Sequence, residues 1–138
     1  MKKRIGSTAE LNIKDIQMPF AARIDTGATM SSLHAVDLSI EHEAQGDLKH
    51  NIGKQISFTT CNHLQQQIRV QAKIRNVLLV KSLQGIEARY IVVMHVGYHG
   101  SEFKVELSLR DRTKMDYKLL IGRNWLAGKF VVDVESSF

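Results

Sequence analysis

The chain has 138 residues, 43% apolar and 24% charged, which suits one soluble domain over residues 1–138 that can bury its own core. The net charge is +5, from 19 Lys and Arg against 14 Asp and Glu, yet the basic residues are scattered and no nucleic-acid-binding module accompanies them, so no nucleic-acid partner is expected. No apolar run nears the ~18 residues that cross a bilayer, and the lone Cys61 rules out an intrachain disulfide and a cysteine-built zinc framework.

The amino-terminal "MKKRIGSTAELN" is basic but carries no apolar stretch behind it, so no signal peptide is expected. With the single cysteine, this makes the cytoplasm the expected location. Met18, Phe20, Ala22 and Ile24 then alternate with Pro19, Ala21 and Arg23, the pattern of a strand with one buried face. That strand runs into Asp25-Thr26-Gly27-Ala28, and "MSSL" after it resumes strand character. The polar stretch "VDLSIEHEAQGDLKHN" reads as a loop with room for one helical turn.

Ile56 and Phe58 mark a short strand, and Ile68, Val70, Ala72 and Ile74 alternate with polar residues in another. Arg69, Lys73 and Arg75 fall on the outer face of that strand and read as a solvated surface. "VLLV" and "YIVVMHV" bracket the polar turn "KSLQG", an arrangement expected of a hairpin. "GYHGSE" is a second hairpin connection, leading to the alternating Phe103, Val105, Leu107 and Leu109. "LLIGRNWLAG" closes the pattern as an apolar strand, a glycine and a short helix that Gly128 stops. The expected fold is all-β: a mostly antiparallel, closed or folded-over barrel with one short C-terminal helix.

An isolated Asp-Thr-Gly is ordinary turn chemistry. Here it follows an apolar strand and is matched, far downstream, by "LLIGRNWL". Together "IDTGATMSSL" and "LLIGRNWL" resemble the two signatures of the retropepsin-like aspartic proteases. The resemblance extends through "VELSLRDRTKMDYKLLIGRNWLAGKFVVD" and the central "VKS" to the bacterial family labelled ATP-dependent zinc proteases. That label does not suit the residues. The chain lacks both a Gly-x-x-x-x-Gly-Lys-Ser/Thr phosphate loop and a His-Glu-x-x-His pair, so no cofactor and no metal are expected.

The resemblance implies an aspartic endopeptidase acting on a peptide or protein substrate, with Asp25, Thr26 and Gly27 as the catalytic loop. Amide hydrolysis by carboxylates needs one ionised group to take a proton from water and one protonated group to polarise the carbonyl. Two carboxylates about 3 Å apart share a proton and supply both. One chain holds one Asp-Thr-Gly, so the second carboxylate must be Asp25 of another copy in a homodimer. A catalytically silent peptide-binding module on the same fold is the alternative, and a metal-dependent hydrolase a third.

The same resemblance makes Gly122, Arg123 and Asn124 the support behind the loop, with Ala28 beside the substrate. Viral members carry an acidic residue where this chain has Thr29. Arg123 is therefore expected to find another partner, such as Asp133 or a backbone carbonyl. The hairpin "LVKSLQGIEARYIV" is the candidate substrate-covering flap, with Lys81, Ser82 and Arg89 reading a polar or acidic substrate.

The histidines show no metal spacing. Fully extended, His95 and His99 would stand about 13 Å apart at ~3.3 Å per residue. Cys61 and His63, expected on one strand face, are two ligands and not a closed site. His34 is expected to be hydrogen-bonded near the core, and Trp125 to pack in it.

Overall fold

The structure, a computed structural model, describes residues 1–137. Its strands are β1 (Lys3–Gly6), β2 (Thr8–Ile13), β3 (Met18–Ile24), β4 (Ser31–His34), β5 (Val36–Ile40), β6 (Gln55–Cys61), β7 (Gln67–Lys73), β8 (Asn76–Ser82), β9 (Gly85–Tyr98), β10 (Ser101–Arg110), β11 (Leu119–Ile121) and β12 (Phe130–Asp133). A 3-10 turn covers Leu48–Asn51, and one short helix, α1, covers Arg123–Leu126. None of the described helices is long and apolar enough to cross a membrane.

The main sheet runs in the order β10-β4-β11-β3-β2-β9-β8, and β10 also pairs with β9. Six strands therefore form a closed circuit, with β8 attached outside it. This is the expected barrel. The seam between β2 and β9 is short, only Asn12↔Gly97 and Ile13↔Val96. A separate three-stranded sheet, β5-β6-β7, contributes Ile56, Phe58 and Val70 to the same core. β1 and β12 form a parallel two-stranded sheet that joins the chain's two ends.

Alternation explains the burial. Leu11, Ile13, Phe20, Ala22, Val105 and Leu107 point inward from strands whose other residues are largely solvated. Trp125 on α1 is fully buried, stacks on Phe130 with ring centroids 4.6 Å apart, and donates its indole N–H to Val96 O. The β9–β10 hairpin turns through His99 and Gly100, at φ 46° and 82°. Positive φ at both central positions is the twist that two-residue hairpins favour.

The expectation of loop between Val36 and Asn51 is corrected in part. Val36–Ile40 is a strand, although none of its residues is fully buried, and the helical turn falls at Leu48–Asn51. Arg75 lies beyond the end of β7, near Glu106. His63 likewise lies past β6, not on a strand face with Cys61.

The placement of β11 matters most for function. It lies between β3, to which it is parallel, and β4, to which it is antiparallel. Those are the strands immediately before and after the Asp25 loop. The loop must therefore arch over the end of β11 and rest on Gly122 and α1.

Candidate active site

Asp25 continues the β3–β11 ladder for one residue, donating its N–H to Ile121 O at 2.8 Å. The chain then turns. Gly27 N–H donates to Asp25 Oδ1 at 2.9 Å, and Ala28 N–H to Asp25 O at 3.2 Å. The carboxylate is thus oriented by its own loop and half-buried, while Thr26 and Gly27 stand exposed beside it. A β-carbon on Gly27 would come within 3.2 Å of Asp25 Oδ1.

The loop is clamped from behind. Arg123 N–H donates to Ala28 O at 2.8 Å and Asn124 N–H to Thr29 O at 3.1 Å. Asn124 Oδ1 accepts from Ser31 N–H at 3.1 Å and from Ser31 Oγ at 2.7 Å, and its Nδ2 donates to Glu106 O at 2.8 Å. Gly122 N–H completes the set by donating to Ser31 Oγ at 3.0 Å. A β-carbon on Gly122 would meet Ala28 O at 2.7 Å and Met30 O at 2.8 Å. Only glycine lets the loop lie this close.

Arg123 is exposed, and its Nη2 donates to Thr29 Oγ1 at 2.9 Å. This corrects the expected carboxylate or carbonyl partner. A guanidinium left in water needs no counter-ion, and Asp133 is instead bound to Arg4, its carboxyl held below the usual range by the Glu135 N–H first and by Arg4 second.

One further segment flanks the loop, the connection 111–118 between β10 and β11. His34 N–H donates to Lys118 O at 2.8 Å, and His34 Nδ1 accepts from Arg112 N–H at 2.9 Å. Nδ1 is therefore the unprotonated nitrogen. Burial, with the charge of Lys118, holds the pKa of His34 below its ordinary value despite the opposing Asp111 carboxylate. Lys118 Nζ ties the segment together by donating to the carbonyls of Arg112, Thr113 and Met115 at 2.9, 3.0 and 2.9 Å.

The other anticipated residues lie on the β8–β9 hairpin. Lys81 is exposed, and Arg89 is half-buried with Nη2 3.6 Å from Glu87. Ser82 closes its own turn, its Oγ donating to Gly85 O and accepting from Gln84 N–H. The ribbon from Asn76 to Tyr90 is paired only with itself, because β10 joins β9 from Ile91 onward. It carries the exposed Leu79, Leu83 and Ile86.

His63 Nδ1 accepts from Ala21 N–H at 2.9 Å and its Nε2 faces Glu10 at 3.2 Å, while His95 lies 3.3 Å from Asp15. Among the described residues no three His, Cys, Asp or Glu side chains converge as a metal site. Sequence reasoning overlooked Arg23, Arg112 and Lys118. Arg23 was legible as the outward position two residues before Asp25, whereas the burial of Arg112 leaves no local signal.

A single carboxylate in this setting can take or give one proton, and the exposed Thr26-Gly27 edge leaves space for a second loop to approach. A family model described as RimB-like, retropepsin-like aspartic endopeptidase RimB, matches residues 4–138. Its description is that of an aspartic endopeptidase and not of a zinc protease. Curated relatives include a probable alpha-L-glutamate ligase of Shewanella halifaxensis, 32% identical over 121 residues, covering 85% of this chain and 25% of that protein. Another of the same name, from Parasynechococcus marenigrum, is 28% identical over 138 residues, covering 96% of this chain and 28% of its own length. The chain thus spans about a quarter of the length of these relatives. A solved protein of unknown function from Legionella pneumophila shares the fold, with a TM-score of 0.77 at 19% identity over 100% of this chain and 98% of that one.

Proposed function

The chain belongs to the RimB-like family of retropepsin-like aspartic endopeptidases, and from that premise we propose that it hydrolyses peptide bonds as a homodimer. The observation that carries this reading is Asp25 itself, a half-buried carboxylate oriented by Gly27 N–H on a loop clamped to Gly122 and α1. In the dimer the two Asp25 carboxylates face each other, share one proton and activate a water between them. Thr26 and Gly27 form the contact between the loops. The peptide lies extended across the seam, and the β8–β9 ribbon closes over it, bringing Lys81 and Arg89 toward the substrate. Residues 1–138 act as one catalytic domain in the cytoplasm.

An acidic peptide is the substrate we favour. The relatives that contain this segment are named for ligation of glutamate, and this chain carries a net charge of +5. The same names favour a second reading, in which the domain only holds an acidic peptide for another activity.

One comparison separates the two. Asp25→Asn keeps the size of the side chain and the acceptor for Gly27 N–H, but removes the shared proton. Cleavage of an acidic peptide by wild type, lost by several orders of magnitude in the variant while binding persists, supports the endopeptidase. Binding without cleavage in either protein supports the silent module. Metal is dispensable in this mechanism, so cleavage should survive exhaustive chelation. Loss of activity that zinc alone restores would overturn it.

A further inference from the structure

The segment 111–118 carries cations that form no ion pair among the described residues, although Asp111 and Asp116 lie in the same segment. Arg112 is only 5% exposed. Its Nε donates to Tyr117 O at 2.9 Å, and its two terminal nitrogens have no hydrogen-bond acceptor among the described residues. Nor are they sealed away, since the enclosed unpartnered side-chain atoms are Thr60 Oγ1 and Arg89 Nε. Lys118, beside it, is satisfied by three neutral carbonyls. The stem of Arg112 is buried while its terminal nitrogens stay open and without an acceptor among the described residues, so they are free to donate to an anion.

The guanidinium opens on a concave site of about 290 Å³ lined by Arg23, Arg112, Lys114, Met115, Asp116 and Tyr117. Three cations face one carboxylate there, so the lining is positive by two charges. The volume suits one side chain. The site also adjoins the reacting centre. Arg23 and Asp25 are two residues apart on an extended segment, and the alternation of exposed Arg23, buried Ile24 and half-buried Asp25 sets the two on the same side. At ~3.3 Å per residue their backbones are about 7 Å apart, the reach of one substrate side chain. Met115 and Tyr117 supply apolar wall for the stem of such a chain.

We propose that this pocket is the specificity site of the enzyme, in which Arg23, Lys114 and the buried Arg112 receive the carboxylate of a Glu or Asp side chain flanking the scissile bond. The proposal rests on the endopeptidase reading and names the residues that would give it an acidic substrate. Arg112 is prearranged, because His34 holds its backbone and Tyr117 its Nε. It therefore loses little freedom when the anion arrives. Arg23 and Lys114 sit at the mouth and close the fork.

The test uses the full chain and two probes, an alanine-flanked tetraglutamate peptide and its tetraglutamine counterpart. Binding is measured in the Asp25→Asn background and cleavage in the wild-type background, so that the pocket and the chemistry are read separately. The pocket predicts at least tenfold tighter binding of the glutamate peptide, lost in Arg23→Glu and reduced in Lys114→Gln, because each removes a charge-assisted hydrogen bond. Lys73→Glu, an identical charge change on the remote β7, should leave the preference intact. Equal binding of both peptides, or an equal loss in Lys73→Glu and Arg23→Glu, overturns the pocket even if cleavage stands. A glutamate preference that depends on Arg23, with no cleavage by wild type, upholds the pocket and ends the endopeptidase reading. Circular dichroism of Arg23→Glu guards against misfolding, and a tetralysine peptide gives a gain-of-function check, since Arg23→Glu should bind it more tightly than wild type does.

Discussion

Asp25 owes its geometry to a residue that carries no side chain. Gly122 sits where a β-carbon would press on Ala28 O and Met30 O at 2.7 and 2.8 Å, and both are backbone atoms that cannot rotate aside. Gly122→Ala should therefore push the Asp25 loop, the catalytic loop of the proposed enzyme, off α1. Overpacking of this kind costs about 1–3 kcal/mol, and the effect on rate should be larger still, since a ~1 Å misplacement can cost about 100-fold. The expected result is a modest fall in Tm with a collapse in kcat/KM. An unchanged kcat/KM would show that the loop is not held by this contact. Asn124→Ala tests the same clamp from the other side, leaving Ser31 N–H and Ser31 Oγ without their shared acceptor. The turn at Asp25-Thr26-Gly27 was legible because Gly27 N–H and Asp25 Oδ1 meet within two positions, and the place of Gly122 behind it was readable only through the paired motif, since the atoms that crowd it belong to Ala28 and Met30. The partner of Arg123 was not, because whether a guanidinium is buried depends on surfaces brought together from distant segments. Thr29 lies 94 residues from Arg123 in sequence.

The connection 111–118 is held to β4 through His34, and that link should be sensitive to pH. Burial lowers the pKa of His34 in the folded chain below the ordinary 6.5. A base with a depressed folded pKa favours folding while neutral. Its contribution is whole above pH 6.5 and declines as the pH falls from there toward the depressed folded value, because the unfolded chain binds the proton first. Protonation also ends the ability of Nδ1 to accept Arg112 N–H. Acidification below 6.5 should therefore lower Tm and reduce the exchange protection of the Arg112 amide, relative to its intrinsic rate at each pH, before that of the rest of the barrel. His34→Gln, which can still accept that N–H but does not titrate, should flatten this part of the pH profile. His34→Ala leaves a buried donor unmet and should cost about 1–3 kcal/mol at neutral pH. The elements that alternation revealed, β3, β6, β7 and β10, have one face on the core, and β2, whose Ala9, Leu11 and Ile13 alternate in the same way, was passed over. β5 escaped notice because none of its residues is fully buried and its support is the ladder to β6. β1 and β12 escaped for another reason: Lys3 pairs with Phe130, and no local pattern announces a parallel bond between a chain's two ends.

That bond bears on how two copies would meet in the proposed dimer. β1 and β12 are joined within one chain, by the ladder, by Arg4 to Asp133 and by Ser7 N–H to Ser136 O at 2.8 Å. β1 and β12 are thus already engaged with each other, and in the proposed dimer the two Asp25 loops would meet through the exposed Thr26-Gly27 edge. An interface confined to that region should be weaker than one that also interlaces termini, and activity should depend on concentration. Specific activity is expected to fall on dilution and to recover on reconcentration, in step with the dimer fraction seen by ultracentrifugation. Mixing sharpens the test. If each active site needs one ionised and one protonated Asp25, a dimer of wild type with Asp25→Asn lacks one of the two groups. Random exchange in an equal mixture leaves about one quarter of the dimers fully wild type, so activity should settle near a quarter of that of the same total protein as wild type. Independent monomers would keep half, whatever the dilution. A fully exchanged mixture that holds at half would show that each Asp25 acts on its own and would remove the shared carboxylate from the mechanism.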